Sequence, residues 1–316
     1  MYSRLLYLSF SLLLCDLAVA ASYKCIDFDV PMSFSAPSLP PNFPEFQNQI
    51  EAVQFLNAIT TRGTLTSGPP PFGAAKNISV DVTVATHYCY PATGNSSVVQ
   101  LLTHGIGFDH SYWDFGGAES EYNYIKAATE AGYATLSYDR IGTGRSTKTD
   151  PYTTQQLGVE AGVLATLTVL LREGAISKYA GTAISTPSKV VHVGHSFGSA
   201  ITNAVIATLP TMSDGAILTG FSTSAEYGLQ FAISSNFYIA SEHDPQRFGD
   251  YNFSKGYLTW GDALSNQYSF FHAPGFDPEV LYQAEAGKQP FAISEPLQAI
   301  ATMAPAFAGP VLVRQT

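Results

Sequence analysis

The sequence predicts an α/β protein: a mostly parallel sheet with helices on both faces and an inserted helical cap. From residue 78 onward, short apolar segments alternate with segments of helical periodicity, and this alternation is typical of a parallel sheet. With 46% hydrophobic residues the chain can build one large core. The net charge is -10 and no basic cluster is present, so nucleic acid is not an expected partner.

The predicted core covers residues 77–225, and its elements follow in chain order. They are an antiparallel strand from Ile78, a buried strand at 98–102, a helix at 119–131, a strand at 133–138, a helix at 153–173, a strand at 190–193, a helix at 200–209 and a strand at 216–218. Residues 21–76 are predicted to form a surface arm with one helix at 44–60, because prolines and glycines interrupt the sequence from residue 35 to residue 72.

Residues 226–308 break the alternation and are crowded with aromatic side chains. This segment is predicted to be a helical cap above the C-terminal edge of the sheet. Its rings either line an apolar substrate pocket or only join the cap to the core, and both interpretations remain open. A last strand is predicted within residues 309–316.

Residues 1–20 have the pattern of a cleaved secretion signal: Arg4, an apolar run from Leu5 to Leu14, and Ala18 and Ala20 in an A-x-A arrangement. A transmembrane anchor is the alternative, but Asp16 interrupts the run, which is too short for a stable membrane span. The sequence therefore predicts a secreted, extracellular protein.

Secretion changes the interpretation of the cysteines and of the Asn-x-Ser sequons. Cys25 and Cys89 form an even pair in an oxidising compartment, so a disulfide is expected, with two unpaired thiols as the alternative. Asn77, Asn95 and Asn252 each begin a sequon that is compatible with glycosylation.

The segment Gly194-His-Ser196-Phe-Gly198 follows an apolar strand and precedes a helix. Side chains at Gly194 and Gly198 would collide with the neighbouring elements, so two glycines allow a turn tight enough to expose Ser196. The serine then lies at a helix N-terminus, where free N–H groups favour a developing oxyanion. Ser196 is the candidate nucleophile.

A second glycine-containing loop, with Gly105 and Gly107, follows the buried strand at 98–102 and lets backbone N–H groups approach a substrate. His104-Gly105-Ile106, the elbow around Ser196 and the turn Asp139 to Ser146 together resemble the α/β-hydrolase superfamily of the AB hydrolase-1 type. The resemblance implies a serine esterase or lipase that works through an acyl-enzyme, with Ile106 and Phe197 N–H as oxyanion donors.

The resemblance also implies that an acid and a histidine follow the serine in the chain. Pro310–Val313 resembles the next-to-last strand, and the sequence ends at Thr316, before either residue. We therefore expect a truncated hydrolase that lacks its last strand and helix and is inactive or very weak, with Glu226 as a candidate acid.

Two other functions fit the same sequence: a non-catalytic ligand-binding or interaction protein on this fold, and a serine peptidase of the same superfamily. For the serine esterase or lipase, the expected partner is a small-molecule ester or lipid substrate. Neither a metal nor an organic cofactor is expected, because the sequence has no H-E-x-x-H motif and no paired-cysteine spacing.

Overall fold

The computed structural model describes residues 22–61, 70–93, 96–222, 231–299 and 302–315. The predicted secretion signal, Asn95 and Glu226 lie outside the described residues. The strands are β1 (Tyr23–Ser38), β2 (Lys76–Pro91), β3 (Val98–Thr103), β4 (Ala134–Tyr138), β5 (Lys189–His195), β6 (Gly215–Thr219), β7 (Tyr238–Ile239), β8 (Tyr257–Thr259), β9 (Phe291–Ala292) and β10 (Val311–Arg314).

Three helices of the predicted core overlap their predicted segments, whereas the short helix Ser177–Ala180 lies in none of them. The α-helices are α1 (Gln49–Thr60), α2 (Tyr124–Glu130), α3 (Leu157–Arg172), α4 (Ser177–Ala180), α5 (Phe197–Thr208), α6 (Ala240–His243), α7 (Pro245–Phe248), α8 (Ala263–Phe270), α9 (Pro278–Gly287) and α10 (Ser294–Leu297). Two short 3₁₀ helices span His110–Tyr112 and Gly249–Tyr251. No described helix combines the length and the apolar character needed to cross a membrane.

The predicted α/β fold is confirmed. Among the described residues, seven strands form the central sheet in the order β1-β2-β4-β3-β5-β6-β10, and from β4 to β10 all neighbours are parallel. Successive side chains of β3 point to opposite faces. Leu101 belongs to the core cluster that contains Leu167 of α3, whereas Leu102 belongs to the cluster that contains Ile125 of α2. Helices therefore cover both faces of the sheet, as predicted.

The prediction of a surface arm is wrong for the first part of residues 21–76, because Tyr23–Ser38 forms the edge strand β1. It pairs antiparallel with β2 along its whole length, from Tyr23 opposite Pro91 to Ser38 opposite Lys76. Pro31 lies inside β1, and an edge strand tolerates a proline because one row of its N–H groups is not needed by a neighbour. Regular structure thus begins well before residue 77, the predicted start of the core.

The predicted disulfide between Cys25 and Cys89 is present in the structure. The two residues lie directly opposite each other in the β1–β2 register, and Cys89 is fully buried. The arm is therefore fixed to the sheet by main-chain pairing and by a covalent bond.

The cap is not purely helical, because β7, β8 and β9 form a small antiparallel sheet within it. Trp260, directly after β8, is fully buried. Its ring lies 5.8 Å from that of Phe108 in the loop after β3 and 4.9 Å from that of Phe270 in α8. The aromatic residues thus join the cap to the core, and their role in a substrate pocket stays a prediction.

Candidate active site

Ser196 lies between β5 and α5 in a backbone conformation that few non-glycine residues adopt. Its φ is 53° and its ψ is -118°, a strained combination that is found mostly at functional sites. Its N–H donates to the carbonyl oxygen of Thr219, at the end of β6, over 2.9 Å. The side chain remains partly exposed. The chain therefore makes the sharp strand-to-helix turn that the sequence predicts.

The two elbow glycines are required by their surroundings. A Cβ atom added to Gly194 would lie 2.4 Å from the carbonyl oxygen of Gly198. A Cβ atom added to Gly198 would lie 2.0 Å from the carbonyl oxygen of Thr103, at the end of β3. Both distances are far below van der Waals contact, so any side chain at either position would force the backbone apart and move Ser196.

The loop after β3 lies against the elbow. A Cβ atom added to Gly105 would be 3.0 Å from Cβ of Ser196, so this loop passes directly beside the serine. Gly107 has a φ of +73°, and an added Cβ would overlap the Trp260 ring at 2.1 Å. Gly105 therefore lies beside Ser196 and Gly107 lies against the cap, and at Gly107 there is no room for a side chain.

Two backbone donors are available next to the serine. The N–H of the buried Ile106 donates to no residue that the structure describes. Phe197 is the first residue of α5, and the first N–H groups of an α-helix have no partner within it. Buried N–H groups are almost always paired, so an unpaired donor at such a position is unusual and remains available to a ligand. Two such donors beside Ser196 suit an oxyanion.

Sequence reasoning missed Arg140, which lies in the turn after β4 and is fully buried. Its Nη2 donates to the carbonyl oxygen of Gly105 over 3.3 Å, and its guanidinium carbon lies 5.1 Å from the centre of the Phe197 ring. Arg140 thus contacts both segments that carry the backbone donors. An arginine beside the Asp139 turn was visible in the sequence, but its partners were not.

His104 cannot accept a proton from Ser196. Its Nε2 accepts a hydrogen bond from the N–H of Arg140 over 3.0 Å, and its Nδ1 donates to the carbonyl oxygen of Gly105 over 2.9 Å. Burial and the nearby Arg140 charge lower the pKa of His104 to about 3. The ring is therefore a neutral brace of the loop, with both nitrogen atoms occupied.

The other described histidines do not complete a triad with Ser196 either. His195 is within 3.0 Å of the Thr219 hydroxyl through Nδ1 and stacks on Tyr112, and burial lowers its pKa to about 4. His110 pairs with Asp139 at 2.6 Å, and the buried His192 pairs with Thr168 at 2.8 Å. Across the described ranges, no side chain forms a hydrogen bond with Oγ of Ser196.

Further predicted positions lie apart from this site. Asn77, at the start of β2, and Asn252, after the second 3₁₀ helix, are both exposed, as glycosylation would require.

Two surface cavities, of about 370 and 490 Å³, are lined by other parts of the molecule and not by Ser196. The larger of the two lies between Tyr122, just before α2, and cap residues that include Phe271 and Val280.

Comparisons with known proteins identify the family. A family model described as "Alpha/beta hydrolase family" matches residues 100–313, which is more than half of the chain. The chain therefore belongs to the α/β-hydrolase family. A search of curated proteins found no match.

Solved structures of the same class are similar to the chain at low sequence identity. A carboxylesterase of the thaumarchaeon Nitrososphaera gargenis has 15% identity and a TM-score of 0.48, with 74% of this chain and 76% of that chain covered. A thermostable carboxyl esterase from Bacillus coagulans has 14% identity and a TM-score of 0.45, with 74% and 85% covered. An esterase from Thermogutta terrifontis has 17% identity and a TM-score of 0.42, with 74% and 75% covered.

Proposed function

We propose that this α/β hydrolase is a secreted serine hydrolase that acts on carboxylic esters or lipids through Ser196. The observation that carries the proposal is the position of Ser196: a strained turn between β5 and α5, directly beside the loop of Gly105 and Ile106. A partly exposed serine next to free backbone N–H groups is the minimum arrangement for acyl transfer.

The proposed reaction has two steps. Oγ of Ser196 attacks the acyl carbonyl carbon, and the carbonyl electron pair moves to its oxygen, where the Ile106 and Phe197 N–H groups stabilise the negative charge. The oxyanion collapses, the alcohol leaves with the proton of the serine hydroxyl, and an acyl-enzyme remains. Water then attacks the acyl-enzyme, which releases the carboxylic acid and restores the serine.

We expect slow ester hydrolysis, because no histidine that the structure describes is placed as a base for Ser196. Burial keeps His104 and His195 neutral; both ring nitrogens of His104 and Nδ1 of His195 are directed at other groups, and His110 is paired with Asp139. Loss of the base in a triad enzyme lowers turnover by roughly a million-fold, while the oxyanion donors and substrate binding retain about a thousand-fold over water. We therefore expect slow labelling of Ser196 and very slow ester turnover, because a base would assist attack on the probe as well as on an ester.

The test is covalent labelling of the secreted protein with a fluorophosphonate probe. We expect the wild type and Ser188→Ala to be labelled and Ser196→Ala to be unlabelled; Ser188 is the matched control because it lies just before β5, at the far end of the same strand. Mass spectrometry of the labelled peptide identifies the modified serine. The same sample shows by its N-terminal peptide whether residues 1–20 have been removed.

A panel of carboxylic esters and aminoacyl anilides then separates the possible functions. Hydrolysis of esters alone supports the proposal, and preferential hydrolysis of anilides favours a serine peptidase. A folded wild type that binds apolar esters but resists the probe contradicts the proposal and favours a non-catalytic binding protein.

A further inference from the structure

Three side chains with metal-ligating atoms meet on the β1–β2 side of the sheet, three strands away from the elbow strand. Asp27 of β1 lies directly opposite His87 of β2, and His110 reaches them from the 3₁₀ helix after β3. One carboxylate oxygen of Asp27 and one ring nitrogen of each histidine lie within 4.8 Å of one another. The residues are far apart in the sequence, so no sequence motif predicts the group.

The orientation of His110 is fixed by a buried carboxylate. Asp139, of which only 1% of the side chain is exposed, accepts hydrogen bonds from Nδ1 and from the backbone N–H of His110, over 2.6 and 3.0 Å. Asp139 is itself held by the N–H of Arg145 over 2.8 Å. A histidine whose Nδ1–H donates to a carboxylate presents Nε2 as a ligand, which is the arrangement found behind most metal-binding histidines.

The surroundings of the cluster are acidic. Oδ2 of Asp114 lies 4.0 Å from Nε2 of His87, and Asp109 belongs with His110 and Asp139 to an overlapping group of ligating atoms. Among the described residues, no lysine or arginine forms an ion pair with Asp27, Asp109 or Asp114. The Asp27 side chain is 58% exposed, so an ion can reach the group from solvent.

We propose that Asp27, His87 and His110 bind a divalent transition-metal ion of the Zn²⁺ type, with water completing the coordination. Nδ1 of His87 lies 2.7 Å from Oδ1 of Asp27, so the ion would replace the proton in this hydrogen bond and be bound by Nδ1 of His87 and Nε2 of His110. Two imidazole nitrogens and one carboxylate oxygen suit Zn²⁺, whereas Ca²⁺ and Mg²⁺ require mainly oxygen ligands. Asp139 acts as the positioning residue for His110. The ion would join β1 and β2 to the 3₁₀ helix, whose Tyr112 stacks on His195 next to the candidate nucleophile with 4.6 Å between the ring centres.

The disulfide must stay oxidised during the test. Sγ of Cys89 lies 3.0 Å from Nε2 of His87, and Cys25, His87 and Cys89 also bring their ligating atoms together. Reduced cysteines would supply thiolates, which bind Zn²⁺ tightly on their own. The protein is therefore treated with a chelator, dialysed without any thiol reductant, and checked for the absence of free thiols.

The experiment is isothermal titration of the full secreted chain with ZnCl₂, supported by the visible absorption of the Co²⁺ form. We expect one ion per chain, no heat with MgCl₂ or CaCl₂, loss of binding in His110→Asn, and affinity weakened about 10–100-fold in Asp139→Asn. The matched control is His243→Asn, a cap histidine whose ring lies 4.5 Å from that of Tyr238 and whose replacement should leave Zn²⁺ binding unchanged.

Each outcome decides the proposal. His110→Asn is the main variant because its ring is partly exposed and its replacement should leave the fold intact, which circular dichroism checks. Wild-type protein that binds no Zn²⁺ overturns the proposal. So does a folded His110→Asn variant that binds Zn²⁺ as tightly as His243→Asn.

Discussion

Replacement of Arg140 by methionine should be among the most damaging single changes in this molecule. Nη1 of Arg140 donates to Oε1 of Glu160 on α3 at 3.1 Å and to Oε1 of Glu295 on α10 at 2.5 Å, and all three side chains are fully buried. Burial raises the pKa of Glu160 to about 8, so the guanidinium is balanced at neutral pH mainly by the carboxylate of Glu295. Methionine fills a similar volume without the charge.

The loss of stability in Arg140→Met comes from the carboxylate of Glu295, which stays buried without its partner. Removal of one partner of a buried ion pair costs about 3–5 kcal/mol, and at about 2–4 °C per kcal/mol this lowers the melting temperature by roughly 6–20 °C. The matched control is Arg145→Met: Arg145 pairs with Asp29 at 3.3 Å, and both side chains are more than half exposed. An exposed pair contributes about 1 kcal/mol or less.

The assay is urea unfolding followed by circular dichroism, together with fluorophosphonate labelling at a temperature where each variant is folded. Because Arg140 contacts the carbonyl oxygen of Gly105 and the ring of Phe197, we expect slower labelling of Arg140→Met even when it is folded. The double variant Arg140→Met/Glu295→Gln removes the stranded charge and should regain most of the lost stability. Equal costs for Arg140→Met and Arg145→Met would refute this reasoning.

Three further predictions use the same assays. Gly198→Ala places a Cβ atom 2.0 Å from a backbone oxygen, so we expect a loss of about 1–3 kcal/mol and no labelling, whereas Gly249→Ala, with no atom within 4 Å, should behave as wild type. The double variant Cys25→Ser/Cys89→Ser opens a cross-link between residues 64 apart and should lose about 4 kcal/mol in urea unfolding. The raised pKa of Glu160 means that the folded protein retains a proton between about pH 4.5 and 8 that the unfolded chain releases, so wild-type stability should fall as pH rises through this window. Unfolding of Glu160→Gln at pH 5 and pH 8 should show a smaller fall, and an equal fall in both proteins would count against the assignment.

The parts of the site that the sequence predicts are those with local constraints. Gly194, Ser196 and Gly198 lie within five residues, and the absence of space for a Cβ atom acts directly on residue type. The strand before the elbow carries a similar signal, because a central parallel strand is buried on both faces and is mostly apolar, as Val190, Val191 and Val193 are. Features of this kind can be predicted from a single sequence, because they are set by neighbouring residues.

The misassigned strand β1 carried a signal that its prolines concealed. Phe28, Val30 and Met32 are buried and alternate with exposed residues, which is the period of a half-buried strand. Pro37 and the prolines that follow it suggested an irregular arm instead. An edge strand has a free side, so proline disrupts it much less than it would disrupt β3 or β5.

The remaining features depend on pairs of residues that only the folded topology brings together. Arg140 and Glu295 are 155 positions apart, and Asp27 and His87 are 60 apart. A histidine in a sequence is equally compatible with a base, a ligand and a structural brace, and its hydrogen bonds distinguish these roles. His104 shows this most clearly: its place beside the oxyanion loop suggests chemistry, but the lone pair that a base would need already accepts the N–H of Arg140.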